Sequence, residues 1–389
     1  YVYNYACICY EIIKPCKAFI RIKMKNKTIL FVCTSLRKGG AGKMVNHVAG
    51  LLTSDYKSVY VVNVGKEEPF SLNNGVHYLS PLNEHKGGLM GFVRTIRAIR
   101  HTLKIIKPDV CVSFVSDVAV CTQIASLGLH DSITVSAERG DPYSLNLLWK
   151  YLVSWAYKRS DYCFFQLEKA RDFFGESVEK KSFVIPNAAF IDYLPGLHSA
   201  KNKTIVGAGR FVKEKGFDML IDAFSKVAKQ FTDYSLILYG DGSCLEEYKK
   251  QVEELGITDR VFFPGYSNNL AKSLKNEGIF ALSSRYEGIP NVLIEALLIG
   301  IPTVSFDCTP GGPSYLTHDG ERGLIVPLGD VNGLAESIIR LIKDRELYSE
   351  LEKKGPELME ELEPALIEKK WLDAFSFMLG DNLKGNLKN

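Results

Sequence analysis

The feature that most constrains this 389-residue chain is an alternation, run through twice, of short apolar stretches with longer amphipathic ones. Such alternation is the mark of parallel sheets flanked by helices. In the first half it predicts strands at 28–34, 58–63, 109–115, 132–138, 161–166 and 182–185. Helices are expected between them, at 41–53, 89–107, 117–128, 144–159 and 168–175. Ile185-Pro186-Asn187 ends the pattern, and the polar stretch 197–203 reads as a linker. The second half restarts with strands at 203–209, 234–239, 260–263, 278–282, 302–305 and 323–326, and helices at 216–230, 243–255, 290–299 and 330–344. The expectation is therefore an α/β chain of two doubly wound parallel-sheet domains, 24–195 and 196–365, facing a cleft. In such sheets ligands bind beyond the carboxyl ends of the strands. Residues 366–389 are expected to form a helix that crosses back onto the first domain, followed by a tail.

Residues 1–23 stand apart. They begin with Tyr1, show neither helical nor strand periodicity, and offer no small-residue cleavage site of the kind a signal peptide needs. Met24-Lys25-Asn26-Lys27 leads directly into the first predicted strand. The arm reads either as non-native or disordered sequence before a start at Met24, or as a basic apolar arm that touches membrane. No stretch of about 18 apolar residues exists to span a bilayer. Nine cysteines, an odd number without paired zinc-finger spacing, fit buried thiols in a reducing compartment, hence a cytoplasmic protein.

A formal net charge of +3 gives no support to nucleic-acid binding, but it conceals a split. Residues 24–195 hold 21 Lys/Arg against 15 Asp/Glu; residues 196–389 hold 23 against 29. A basic first half facing an anionic partner accounts for this, and so does uneven scatter of solvated charge.

Three glycine-rich turns carry the chemistry. Lys38-Gly39-Gly40-Ala41-Gly42-Lys43-Met44 follows the first strand and is similar to the phosphate loop of partition-type ATPases. Met44, however, occupies the position where a hydroxyl must ligand Mg²⁺. The amides of Gly39 and Gly40 can still hold a phosphate or sugar, or simply make a tight turn. Gly207-Ala208-Gly209-Arg210 begins a dinucleotide fingerprint without its third glycine, since residue 212 is Val212. Arg210 and Lys215 nevertheless place two cations beyond one strand, which suits a diphosphate. The third and strongest signal, Ser283 to Leu297, runs from a strand through Glu287-Gly288-Ile289-Pro290-Asn291-Val292 into a helix that carries Glu295. Amides from Gly288 to Val292 at the helix N-terminus suit phosphate. Glu287 and Glu295, which would repel phosphate, suit sugar and ribose hydroxyls.

With these pieces together the chain resembles the retaining glycosyltransferases of family 4, of GT-B fold, over nearly all of 28–380. The resemblance rests on the Gly39-Gly40-Ala41 loop, Gly209-Arg210-Phe211-Val212 with Lys215-Gly216, Gly240-Asp241-Gly242, Phe263-Pro264-Gly265-Tyr266, and Glu287 followed by Glu295. It implies a nucleotide-sugar held mainly by the second domain, with the first binding the acceptor. Arg210 and Lys215 would hold the diphosphate, Glu287 the donor sugar and Glu295 the ribose. Gly209, Gly288, Ile289, Pro290, Asn291 and Val292 would add donor contacts, and Gly39 and Gly40 would close over the donor. The family's step needs no metal or other cofactor. Many relatives place a histidine near the end of a first-domain strand. Here the stretch reads Ser136-Ala137-Glu138-Arg139-Gly140, so Glu138 and Arg139 become candidate sugar or acceptor residues beside a plain turn-forming reading.

Arg94, Arg97, His101 and Lys104 recur at spacings of three and four and share a face of helix 89–107. That face suits a polyprenyl-diphosphate-linked acceptor and an anionic membrane, or is a solvated edge of an ordinary amphipathic helix. Cys308-Thr309-Pro310-Gly311-Gly312-Pro313-Ser314 resembles a loop of relatives that build bacterial polysaccharide and glycan repeat units, which favours a UDP-sugar over GDP-mannose. The expected enzyme is cytoplasmic and peripheral to the inner membrane face. The rival readings are a GT-B sugar-nucleotide epimerase, a Walker-type ATPase and a catalytically silent GT-B binding subunit.

Overall fold

The computed structural model describes residues 26–34, 36, 40–65, 72–82, 88–129, 132–189, 195–200 and 202–380. Among these residues thirteen strands form two fully parallel sheets. The first contains β1 (Thr28–Cys33), β2 (Ser58–Asn63), β3 (Val76–Leu79), β4 (Val110–Phe114), β5 (Ile133–Ala137), β6 (Tyr162–Phe165) and β7 (Ser182–Val184), in the order β3-β2-β1-β4-β5-β6-β7. The second contains β8 (Thr204–Ala208), β9 (Ser235–Tyr239), β10 (Val261–Gly265), β11 (Ile279–Leu282), β12 (Thr303–Asp307) and β13 (Leu324–Pro327), in the order β10-β9-β8-β11-β12-β13. Each order reverses once, between β1 and β4 and between β8 and β11. Those reversals are the topological switch points where doubly wound sheets bind ligands.

Central strands such as β1, β4 and β8 read as unbroken apolar runs because helices cover both faces. β3, Val76-His77-Tyr78-Leu79, was not among the predicted strands. It is a four-residue edge strand, half-buried and exposed in alternation, so no apolar run announces it. Short helices at Leu270–Leu274, Gly312–Thr317 and Leu358–Leu362, and a ten-residue one at Arg345–Lys354, also escaped the pattern. The expected helix at 168–175 is two short pieces, Glu168–Asp172 and Glu176–Glu179, divided at Gly175 with φ 79°.

The crossing helix is present as Pro364–Met378. Its Ile367, Trp371, Ala374, Phe375 and Met378 complete the core on one face of the first sheet, against Phe31, Phe114 and Phe164. Trp371 is fully buried, its ring centroid 4.5 Å from that of Phe164. The chain's end therefore stabilises the domain with which the chain begins.

Candidate functional site

A cleft of about 1000 Å³ lies between the domains, along the carboxyl ends of both sheets. Cys33 and Phe114 reach it from the ends of β1 and β4, and Ala208 and Tyr239 from the ends of β8 and β9. Both switch points thus open onto one cavity.

On the second-domain side, β8 is followed by Gly209 and Arg210 and then by a single turn, Lys213–Lys215. Gly216 then starts the helix Phe217–Gln230 with φ 62°. A Cβ there would stand 2.1 Å from the Ser283 carbonyl oxygen, so only glycine lets this turn lie against β11's exit and bring Lys215 inward. Lys215 Nζ pairs with Glu287 Oε1, which also accepts from Ser284 Oγ at 2.8 Å. Both members of the pair are largely buried, their side chains 19% and 11% exposed. Arg210 is 73% exposed at the cleft wall and donates to Glu214 at 3.0 Å. Arg285, by contrast, points away from this chemistry. It forms a two-pronged bond with Asp218, at 2.9 and 2.6 Å, that ties the turn to the helix Phe217–Gln230.

The segment from Glu287 to Val292 and then Glu295 lines the same wall. One detail differs. The helix starts at Asn291, and the Ile289 N–H is not open to a ligand because it donates to Gln166 Oε1 of the first domain at 3.3 Å. Pro290 has no N–H. The amides of Gly288, Asn291 and Val292 are those left without a protein acceptor among the described residues.

Gln166 and Asn187 were not foreseen as site residues. Gln166 Nε2 donates to Asn187 Oδ1 at 2.6 Å, and Asn187 Nδ2 donates to Asn291 Oδ1 at 2.8 Å. Both side chains are buried at the cleft's base and join the first domain to the donor-side loop. Thr309 Oγ1 donates to Asp141 Oδ2 at 2.6 Å, a further bond across the domains. Gly288 permits this closeness, since a Cβ there would come within 2.6 Å of Gln166 Oε1 and 2.7 Å of the Arg139 carbonyl oxygen. Polar residues just past the ends of β6 and β7 were the available signal, because strand ends meet the cleft.

The two first-domain candidates separate. Arg139 lines the cleft, its guanidinium 5.4 Å from the Phe114 ring centroid and 5.2 Å from that of Trp371. Nη1 donates to Ile185 O at 3.3 Å, whereas Nε and Nη2 are buried without a partner among the described residues. Aromatic faces hold the cation in place of acceptors. Burial lowers its pKa to about 9, which leaves it charged at neutral pH. Glu138 does not face the cleft, contrary to expectation. It is buried behind the wall and accepts from Ser116 Oγ, Tyr157 Oη and the N–H groups of Arg139 and Gly140. Burial pushes its carboxyl up against the pull of those bonds. Its place is to shape the turn that presents Arg139.

Gly40 opens the helix Gly40–Leu52, and among the described residues of that loop Gly42 and Lys43 line the cleft. Gly39 lies outside the described residues. Met44 is buried in the first-domain core and brings no hydroxyl to the loop. Arg94, Arg97 and Lys104 do not line the cleft; Arg97 and Lys104 are exposed and Arg94 is half-buried on the outer helix Gly88–Ile106.

Known proteins share this architecture. Anabaena HepE, solved in complex with UDP and glucose, superposes with a TM-score of 0.74 at 18% identity, covering 90% of this chain and 100% of that one. A Campylobacter jejuni protein named "GalNAc-alpha-(1->4)-GalNAc-alpha-(1->3)-diNAcBac-PP-undecaprenol alpha-1,4-N-acetyl-D-galactosaminyltransferase" is 24% identical over 353 residues, 88% of this chain and 97% of that one. A Haemophilus influenzae protein described as an uncharacterized glycosyltransferase is 31% identical over 175 residues, 45% of this chain. In that match the chain spans about half of the relative's length, 49%. The fold is therefore GT-B. The family whose model matches is the glycosyl transferases group 1, over residues 195–358, the segment that carries Arg210, Lys215, Glu287 and Glu295.

Proposed function

We propose that the chain is a retaining, metal-independent glycosyltransferase of the family 4 type. It moves a hexose or N-acetylhexosamine from a UDP-linked donor to a glycan or polyprenyl-diphosphate-linked acceptor in surface-glycan assembly. The observation that carries this reading is the convergence of Arg210, Lys215 and the Gly288, Asn291 and Val292 amides on one wall of a cleft between two parallel sheets. That wall offers positive charge and N–H donors beside the carboxylates of Glu287 and Glu295. Among the described residues no group of three His, Cys, Asp or Glu side chains is placed to hold a metal ion.

In the reaction the bond from the sugar's anomeric carbon to the diphosphate oxygen breaks. A bond from that carbon to an acceptor hydroxyl oxygen forms on the same face. Negative charge grows on the departing diphosphate, and that oxygen or solvent receives the acceptor's proton. Arg210 and Lys215 stabilise that charge, and preformed donors of this kind act most strongly at the transition state. Glu287 accepts from Lys215 and Ser284 through Oε1 alone. Oε2, which no donor reaches among the described residues, takes a hydroxyl of the donor sugar, and Glu295 takes the ribose. Arg139, anchored by rings rather than by acidic partners, keeps its charge for the acceptor side of the cleft. In this reading the two cations do what a divalent ion would otherwise do.

The protein acts at the inner face of the cytoplasmic membrane, where the basic helix carrying Arg94, Arg97 and Lys104 approaches the lipid-linked acceptor. Incubating the chain with a panel of nucleotide-sugars and a polyprenyl-diphosphate glycan, with and without EDTA, tests this. A product of retained anomeric configuration, formed equally in EDTA, is the expected result. Release of UDP without an acceptor would instead indicate the epimerase reading. Binding without turnover would indicate a silent subunit.

A further inference from the structure

The Arg210 side chain is 73% exposed, yet a diphosphate ligand needs its guanidinium at one place on the cleft wall. A long cation in water samples many rotamers, and fixing it when a ligand arrives costs affinity. Its one bond to another side chain among the described residues runs from Nη2 to Glu214 Oε1, at 3.0 Å. A pair of exposed, mobile side chains would hold it weakly. Here the acid is itself held. Glu214 is half-buried, and its second oxygen, Oε2, accepts from Tyr286 Oη at 2.7 Å. Burial together with that bond pushes the Tyr286 hydroxyl up to about 12, so it stays protonated as the donor.

Tyr286 has a fixed place. Next to it, the Arg285 N–H donates to the Glu214 carbonyl oxygen at 2.8 Å, and Arg285 Nη1 to that of Lys213 at 2.6 Å. Ser283 Oγ donates to the Lys215 carbonyl oxygen at 3.0 Å. On the other side the Glu287 N–H donates to the Thr309 carbonyl oxygen at 3.0 Å, and Tyr286 is bridged to Thr309. The turn that carries Lys215 and the loop that carries Glu287 are therefore one tied wall. The Tyr286–Glu214 bond is the tie that reaches the side chain holding Arg210. Neither Glu214 nor Tyr286 lines the cleft, so neither contacts a ligand bound there.

We propose that Glu214 and Tyr286 are positioning residues for Arg210. Tyr286 clamps one carboxylate oxygen of Glu214, and the other holds the guanidinium where the donor's diphosphate arrives. This rests on the reading of Arg210 as a diphosphate ligand. The gain is preorganisation, because an arginine held beforehand loses less freedom on binding. With Nη2 on Glu214, Nε and Nη1 remain to donate to phosphate oxygens. The negative charge of Glu214 opposes the phosphate, so its position and its charge act in opposite directions.

Calorimetric titration of the full chain with UDP, across single and double variants, separates the two. Tyr286→Phe keeps the ring and every charge and loses only the hydroxyl. Its affinity for UDP should fall about two- to tenfold, the worth of one immobilised side chain, while thermal unfolding shifts by only a few degrees. In the Arg210→Ala background the same substitution should change affinity no further. Glu214→Gln can still accept from Arg210 through its amide oxygen and donate to Tyr286 Oη through its amide nitrogen. It should therefore bind UDP better than Glu214→Ala does. In sugar transfer, Tyr286→Phe should raise the KM for the nucleotide-sugar and leave that for the acceptor unchanged, a split that general loosening of the fold would not produce. Unchanged UDP affinity in Tyr286→Phe would overturn the proposal, as would a loss that persists in full without Arg210. Tighter binding by Glu214→Ala than by the native chain would also overturn it, since the acid would then be a competitor of the diphosphate. An Arg210→Ala variant that binds UDP like the native chain would instead remove the diphosphate reading, and this inference with it.

Discussion

Replacing Lys215 by Met removes the cation that holds Glu287 and faces the cleft. In a fully buried ion pair, deleting one member costs about 3–5 kcal/mol. Here both side chains keep some contact with water, and Glu287 keeps Ser284 Oγ at 2.8 Å. The expected loss of stability is therefore smaller, about 1–3 kcal/mol, the cost of a poorly satisfied buried group. The loss of rate should be larger than stability explains. A donor aimed at charge that develops in the transition state is worth about 10²–10³-fold, roughly 3–4 kcal/mol. Glu287→Gln should be impaired through the same pair, since a neutral amide holds Lys215 less firmly. The assay is a double-variant cycle on kcat/KM for sugar transfer, with urea unfolding of each protein as the control. If the pair works as a unit, the double variant should be little worse than the poorer single one. Near-native activity in both single variants would refute the reasoning. Losses that multiply across the double variant would show that the two residues act independently.

Asn187→Ala should leave Gln166 Nε2 and Asn291 Oδ1 without their buried partner, costing about 1–3 kcal/mol for each group. Its signature in steady-state kinetics is a raised KM for the donor, since the donor-side loop loses its tie to the first domain. Gly288→Ala sets a Cβ 2.7 Å from the Arg139 carbonyl oxygen, which cannot swing away as a side chain can. An overpacking cost of about 1–3 kcal/mol falls on the contact between domains, and small-angle scattering should show a more open particle. Trp371→Ala should destabilise the first domain by about 3–5 kcal/mol, measured by chemical unfolding, because this fully buried ring packs against Phe164 and supports Arg139.

Sequence and structure agree best where physics is local. β1, β4, β8 and β11 are continuous apolar runs, and burial on both faces makes such runs legible. The crossing helix was legible for a similar reason, as Trp371 and Phe375 fall on one face of it. Arg210, Lys215 and Glu287 could be read because each follows a strand within a few residues. β3 could not, because its side chains alternate at a solvated edge. Gln166 and Asn187 could not be assigned either. Their partners Ile289 and Asn291 lie more than 100 residues away, and only the closure of the two domains brings them together. Glu138 and Arg139 show the limit most sharply. Adjacent in sequence and equally polar, they part at the end of β5, one into the wall and the other to the cleft. Side-chain direction at a strand end depends on the turn that follows, which here is fixed by Glu138's own bonds to the Arg139 and Gly140 amides.

The most direct test of the central claim is calorimetric titration of the full chain with UDP and with UDP-sugars, alongside the Arg210→Ala variant. The Arg210 side chain is exposed and bonded only to Glu214 among the described residues, so its removal should leave the fold unchanged. Saturable binding by the native protein without added metal, weakened about tenfold or more in Arg210→Ala at equal thermal stability, is the result this account requires. Absence of UDP binding, or affinity unchanged by the substitution, would contradict it.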